Sequence, residues 1–238
     1  MELIVNDLCV SYSFQPALRR INFRLHGGVV ALLGPNGSGK TTLLRCLATA
    51  QALDCGEMRF AGLRYDSSPA AQRTLRAGLG FLPQDLDLPG QMTPLQLLQY
   101  LATLKGIEDT KQPERLLVQL GLNSRLSSRF DQLSGGQVRL AGIAQAFLGQ
   151  PYLVLLDELT RGLDVQERQA VFRLLRRRAG LVIFSTHVLW DVEQIADQVV
   201  VLHAGQVLFA GELDSLYRQT GHFSLEPAYL QLITTPLM

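Results

Sequence analysis

The sequence predicts a mixed α/β fold with a ligand site at one sheet edge, and three observations predict it. Residues 28–33 form a short apolar run bounded by glycines, the pattern of a buried strand. A glycine-rich stretch, Gly34-Pro35-Asn36-Gly37-Ser38-Gly39-Lys40-Thr41-Thr42, follows at once, and residues 41–48 are rich in helix formers with apolar side chains covering one face. Two later apolar runs, 152–158 and 181–187, also read as buried strands and end on polar residues. Strands that end this way present polar groups at the carboxyl edge, where ligands bind in open α/β sheets.

Residues 2–30 hold two strand-like segments, one from Leu3 onward and one over 18–25. The second alternates apolar and polar residues, so it belongs to a sheet with one wet face. Tyr12, followed by Ser13 and Phe14, lies in the stretch between them. An aromatic just upstream of a phosphate loop can stack on adenine, contributing on the order of 1 kcal/mol beyond its buried area, or can simply pack.

The glycine-rich stretch meets the spacing GxxxxGK[ST] in full. Gly34, Gly37 and Gly39 let the backbone turn tightly and bring N–H groups against phosphate oxygens, where a Cβ would obstruct. Those donors and the positive end of the following helix dipole favour an anion. Lys40 supplies a point charge to the β- and γ-phosphates of a nucleotide, and the Thr41 hydroxyl is placed to ligate Mg²⁺.

Residues 56–62 alternate again and add to the first sheet. Residues 67–77 are polar and helix-compatible, with Pro69 suited to a first turn. Residues 80–85 read as a strand ending in a loop, because Pro83 cannot continue a central strand. The Gln84 amide there can reach Mg²⁺ or an attacking water, or can be solvated. From Thr93 to Gln150 the pattern is helical with breaks, over 94–104, 113–120 and 137–148. Thr93 as N-cap and Pro94 at the first helical position make a sound start. The chain is therefore read as a core of residues 1–90 and 151–238 with a helical subdomain, 91–150, inserted. Within the insertion, Leu133-Ser134-Gly135-Gly136-Gln137 precedes the third helix. It is either a second anion-binding helix N-terminus or a capping serine after a glycine turn.

Asp157 and Glu158 end the apolar run 152–158. Asp157 can hold Mg²⁺ through its waters, and Glu158 can orient an attacking water or accept its proton; acidic pairs also cap turns and helices. Run 181–187 ends on Ser185-Thr186-His187, where His187 can contact a γ-phosphate or the water, or be structural. Residues 198–203 and 206–210, joined by Ala204-Gly205, carry a hairpin signature, and short helical stretches follow near 212–219 and 226–233. Arg173, Arg176, Arg177 and Arg178 form a basic cluster, read as a solvated helix face.

With 238 residues, 47% hydrophobic and 18% charged, the chain is long and apolar enough to bury a substantial core. A net charge of +1 gives little attraction for nucleic acid or anionic lipid, so no nucleic-acid partner is expected. No apolar stretch has the length of a membrane span, and residues 1–7 lack the basic start and apolar core of a secretory signal. Cys9, Cys46 and Cys55 show no metal-ligand spacing and are read as core or surface residues of a cytosolic protein, without a role.

Taken in order, these residues resemble the nucleotide-binding domain of ATP-binding cassette (ABC) proteins over nearly the whole chain. Tyr12 matches the adenine-stacking aromatic, 34–42 the Walker A loop, Gln84 the Q-loop and 133–137 the LSGGQ signature. Residues 153–158 match the Walker B strand, 162–164 the D-loop and His187 the switch histidine. The resemblance implies a P-loop NTPase core with an antiparallel β subdomain and an inserted α-helical subdomain. It implies ATP hydrolysis with Mg²⁺ on Thr41, Gln84 and Asp157, and catalysis by Glu158, His187 and Gln84. It also implies a head-to-tail dimer with a second copy or a homologous cassette. In that dimer Ser134, Gly135, Gly136 and Gln137 of each chain cover the partner's nucleotide, and Asp164 lies at the interface.

Three positions depart from the family pattern: Leu140, Leu159 and Arg161 stand where an arginine, a proline and a small or amide residue are usual. None of them removes a phosphate or metal ligand. Two uses of such a cassette compete. One is the cytoplasmic ATPase subunit of a membrane transporter, peripheral on the membrane through integral membrane subunits. The other is a soluble ATPase of DNA repair, chromosome maintenance or translation, whose usual coiled coils, zinc modules or tandem cassette this sequence does not carry. Transport is therefore expected. Residues 81–84, 101–107 and 225–230 look most like exporter subunits.

Overall fold

The computed structural model describes residues 1–65, 69–177 and 180–234. The chain opens with β1 (Glu2–Tyr12), β2 (Gln15–His26) and β3 (Gly28–Leu33), which leads into α1 (Lys40–Leu47). Next come β4 (Cys55–Phe60), β5 (Leu63–Tyr65), α2 (Pro69–Ala77) and β6 (Leu79–Leu82). Three helices follow, α3 (Pro94–Leu104), α4 (Gln112–Gln119) and α5 (Gly135–Ala146). The chain then returns through β7 (Leu153–Leu156), α6 (Val165–Arg176), β8 (Leu181–Ser185) and α7 (Leu189–Ile195). It closes with β9 (Gln198–His203), β10 (Gln206–Glu212), α8 (Leu213–Thr220) and α9 (Leu225–Thr234).

Two sheets result. One is antiparallel, in the order β2-β1-β4-β5, and the other runs β10-β9-β3-β8-β7-β6. The second is parallel except where β10 returns antiparallel along β9, the hairpin expected at Ala204-Gly205. Strands β3, β7, β8 and β9 are buried on both faces, which is why they read as unbroken apolar runs, whereas the edge strand β10 is half-exposed. Alternate side chains divide between two cores. Ala31, Leu33, Val154, Leu156, Val182 and Phe184 meet helices of one layer. Val30, Leu32, Leu153, Leu155 and Ile183 meet α1 and the antiparallel sheet on the other. The first core continues under the three inserted helices through Leu98, Leu117, Leu140 and Phe147.

Several local expectations need correction. Tyr12 is the last residue of β1 rather than part of a loop, because the connection shrinks to Ser13-Phe14, whose φ angles of 47° and 68° give the twist a two-residue hairpin needs. Strand β7 stops at Leu156, so Asp157 and Glu158 stand beyond the strand end rather than on it, while Gln84 lies in the loop after β6 as expected from Pro83. Helix α6 is read from the sequence only through its basic face at Arg173 and Arg176, and α7 was not anticipated. Asp164 and Glu167 form a reciprocal capping box that announces α6 in the sequence, whereas α7 has seven residues and no side-chain cap. The first residues of the expected helix, 67 and 68, and Arg178 lie outside the described residues.

The cysteines also depart from expectation. Cys9 and Cys55 are directly opposed in the β1–β4 register, with Cα atoms 5.0 Å apart, and are joined as a disulfide. Cross-strand register brings them together, and their sequence separation of 46 gives no hint of it. Cys46 is buried on α1, and burial pushes its thiol up to about 12. A thiol reagent at mildly alkaline pH should therefore find nothing to react with in the native, unreduced chain. Unfolding should release one reactive group, and added reductant two more; a fast-reacting thiol in the native chain contradicts this assignment.

Candidate active site

The segments that follow β3, β6 and β7 meet at one cavity of about 440 Å³, lined by Tyr12, Ala17, residues 36–42, Gln84 and Glu158. The glycine loop is its floor. A Cβ on Gly34 would overlap the Leu202 carbonyl oxygen, and one on Gly39 would come within 2.9 Å of the Ala17 carbonyl. Gly39 sits at φ 104° as the N-cap of α1 and offers no side-chain acceptor, so the helix's first N–H groups are left for a ligand. Lys40 is nearly buried, its ammonium donating to the carbonyls of Gly34 at 2.7 Å and Pro35 at 3.0 Å. Burial lowers its pKa from the usual lysine value, and the nearby carboxylates of Glu158 and Asp157 partly oppose that. Ser38 Oγ is buried beside the loop without a partner.

On the facing side, Asp157 and Glu158 are gripped by β8. The Ser185 hydroxyl donates to Asp157 Oδ1 at 2.6 Å and accepts from the Glu158 N–H at 2.7 Å. The second oxygen of Asp157, Oδ2, is buried and has no partner. A hard cation takes carboxylate, hydroxyl and amide oxygens. The unsatisfied Asp157 oxygen, the Thr41 hydroxyl and the Gln84 amide therefore form a donor set that fits Mg²⁺. Glu158 Oε2 lies 2.9 Å from His187 Nδ1, so carboxylate and imidazole act as one unit at the cavity's edge. The backbone of Glu158 is left-handed, at φ 52°, a conformation that costs a non-glycine residue on the order of 1–3 kcal/mol.

The chain aligns over this geometry with known proteins. The ABC transporter family matches residues 18–161, more than half of the length. The chain belongs to the ABC transporter family, as an ATP-binding subunit. It is 35% identical over 231 residues to an uncharacterized ABC transporter ATP-binding protein, YxlF, of Bacillus subtilis, covering 94% of this chain and 76% of the relative. It is 34% identical to the phosphonates import ATP-binding protein PhnC 1 of a Synechococcus strain, covering 90% of this chain and 88% of that one. A solved ATP-binding subunit of an ABC transporter superposes with a TM-score of 0.87 at 30% identity, covering 98% and 99% of the two chains. The cassette is an ATPase, and the P-loop core, antiparallel sheet and inserted helices anticipated from the sequence are all present.

Within this cassette the signature residues stand apart from the glycine loop. Ser134 caps α5, its Oγ accepting from the Gln137 N–H at 3.2 Å while the Gln137 side-chain oxygen accepts from the Ser134 N–H. Gly136 packs so closely on the D-loop that a Cβ would come within 2.9 Å of the Gly162 carbonyl. Asp164 uses its carboxylate to cap α6. Tyr12 is half-exposed, with its hydroxyl donating to Gln51 Oε1 at 3.2 Å. Two of the departures from the family pattern are core fillers, since Leu140 and Leu159 are buried. The third, Arg161, pairs with Asp85 beside the Q-loop at 3.4 Å across the surface.

Two functional supports were missed from sequence. One is Ser185, described above. The other is Asp191 on α7, fully buried, which accepts from the Thr160 hydroxyl at 2.5 Å and from Arg168 at 3.0 Å. It fastens the segment after Glu158 to the helix that follows His187. Neither contact leaves a periodic or spacing signal in the sequence.

Proposed function

We propose that this subunit hydrolyses Mg-ATP in two composite sites formed by a head-to-tail pair of cassettes, and passes the closure of that pair to integral membrane subunits. The observation that carries the proposal is the cavity that pairs Lys40 and the glycine loop with the Glu158–His187 unit. In this reading the loop N–H groups and Lys40 hold the β- and γ-phosphates. Thr41, Gln84 and Asp157 hold Mg²⁺, which neutralises phosphate charge when bound. Glu158 orients the attacking water and takes its proton while His187 fixes the carboxylate's direction. Tyr12 stacks on adenine. Residues 134–137 of one chain close over the nucleotide on the other, consistent with their lying outside the cavity of their own chain, and Asp164 faces the partner.

Among the described residues no helix is long and apolar enough to cross a membrane, so attachment to the cytoplasmic face runs through membrane subunits. Residues 1–90 and 151–238 serve as the core and 91–150 as the helical subdomain that meets those subunits. The phosphonates relative is named for import, so likeness to cassettes carries no direction by itself. Export is supported by residues 81–84, 101–107 and 225–230.

The test is phosphate release by the purified chain. Turnover per chain should rise with protein concentration, because the site completes only across two copies, and chelation of Mg²⁺ should stop it. Turnover per chain that is independent of concentration, or that survives chelation, overturns the proposal.

A further inference from the structure

Arg139, the fifth residue of α5, is only 5% exposed, yet among the described residues none of its hydrogen bonds goes to a carboxylate. Its guanidinium instead donates to four backbone carbonyls. One nitrogen reaches Pro83 O at 3.3 Å and Gln84 O at 2.8 Å; the other reaches Asp157 O and, at 2.7 Å, Glu158 O. A guanidinium stays charged at any working pH, so burying it is costly unless carbonyl dipoles replace the lost water. This placement spends one buried charge on joining three segments far apart in sequence: the signature helix, the Q-loop and the end of the Walker B strand.

We propose that Arg139 is a positioning residue that holds the Gln84 and Glu158 backbones in register with the signature helix. It rests on the hydrolysis reading above. The peptide of Glu158 is held from two sides, with Ser185 Oγ on its N–H and Arg139 on its carbonyl. That grip keeps the residue at φ 52°, which its side chain alone does not favour, and so aims the carboxylate at the cavity. Because Ser134 caps α5, a push on the signature loop from a partner reaches Glu158 and Gln84 through one rigid arginine. The lysine that many would regard as conservative cannot copy this, since a point-charge ammonium lacks the planar fork that serves pairs of carbonyls.

Steady-state ATP hydrolysis by Arg139→Ala and Arg139→Lys tests the idea, with wild type measured alongside. The expected result for Arg139→Ala is a kcat lower by about 30-fold or more with KM for Mg-ATP within about threefold, since nothing that touches phosphate is altered. Added millimolar guanidinium should restore part of the loss by filling the vacated space, whereas an equal concentration of a sodium salt should not. A kcat within threefold of wild type overturns the proposal. So does a parallel loss of kcat and of folded protein with no rescue, which marks a purely structural arginine. If Arg139→Ala does not fold, Arg139→Lys decides: an intermediate kcat at unchanged KM supports positioning, and wild-type kcat overturns it. A wild-type chain that releases no phosphate overturns the hydrolysis reading itself, a result separable from an active wild type with an equally active Arg139 variant.

Discussion

Glu158→Gln is expected to lower phosphate release by roughly 10²–10⁴-fold while leaving nucleotide binding intact. The amide preserves the volume of the side chain and can still meet His187 Nδ1, now 2.9 Å from Oε2, but it cannot accept the proton of an attacking water. Lys40, Thr41 and Asp157, which carry the phosphates and the cation in the proposed site, are untouched. The variant should therefore bind Mg-ATP, close with its partner and stay closed. Light scattering coupled to gel filtration should give a dimer with Mg-ATP and a monomer without it. A monomer in both conditions, with phosphate release persisting, contradicts the role given to Glu158.

Lys40→Ala and Ser134→Arg should each be inactive alone and should recover activity when mixed. Lys40 donates to two carbonyls of the loop, and in the proposed complex it turns to the phosphate oxygens. Hydrogen bonds to charged groups contribute about 1.5–3 kcal/mol each, so losing this one costs roughly 10²-fold in nucleotide affinity. Ser134→Arg forces a long cation into the space a partner's nucleotide needs, and forfeits a helix cap of about 1 kcal/mol. In a mixed head-to-tail dimer one site inherits both defects and the other inherits neither. An equal mixture should regain up to about a quarter of wild-type sites if the chains pair at random. Phosphate release that stays at the level of the separate variants at every mixing ratio rules out a site shared between chains. A thermal melt of each variant without nucleotide checks that the fold is intact.

Much of this site was legible because its chemistry is local. The residues from Gly34 to Thr42 form strand end, loop and helix start in one continuous run, and the run itself dictates where the backbone N–H groups point. Thr93 and Ser134 likewise cap the helices they precede, since a cap and its helix are neighbours in sequence. What escaped was contact at a distance. Ser185 holds Glu158 across 27 residues, Arg139 holds Gln84 across 55, and Cys9 meets Cys55 only because β1 and β4 pair in one particular register. Helix α7 was invisible for a different reason: it is a short segment without a cap, placed by packing of Val192 and Ile195 into the core rather than by any strong local preference. Leu140 and Leu159 depart from the family pattern in sequence. Both turn out to be interior volume, and only Arg161, paired with Asp85, reaches the surface between the Q-loop and the D-loop.

The left-handed backbone at Glu158 sets stability and activity against each other at a single position. Glycine or asparagine adopts φ near 52° at less cost than glutamate does, so the most comfortable residue there is one without the carboxylate proposed to orient the water. Under the role proposed for Glu158, a substitution there that raises the melting temperature should lower turnover, so the two properties pull against each other at this residue.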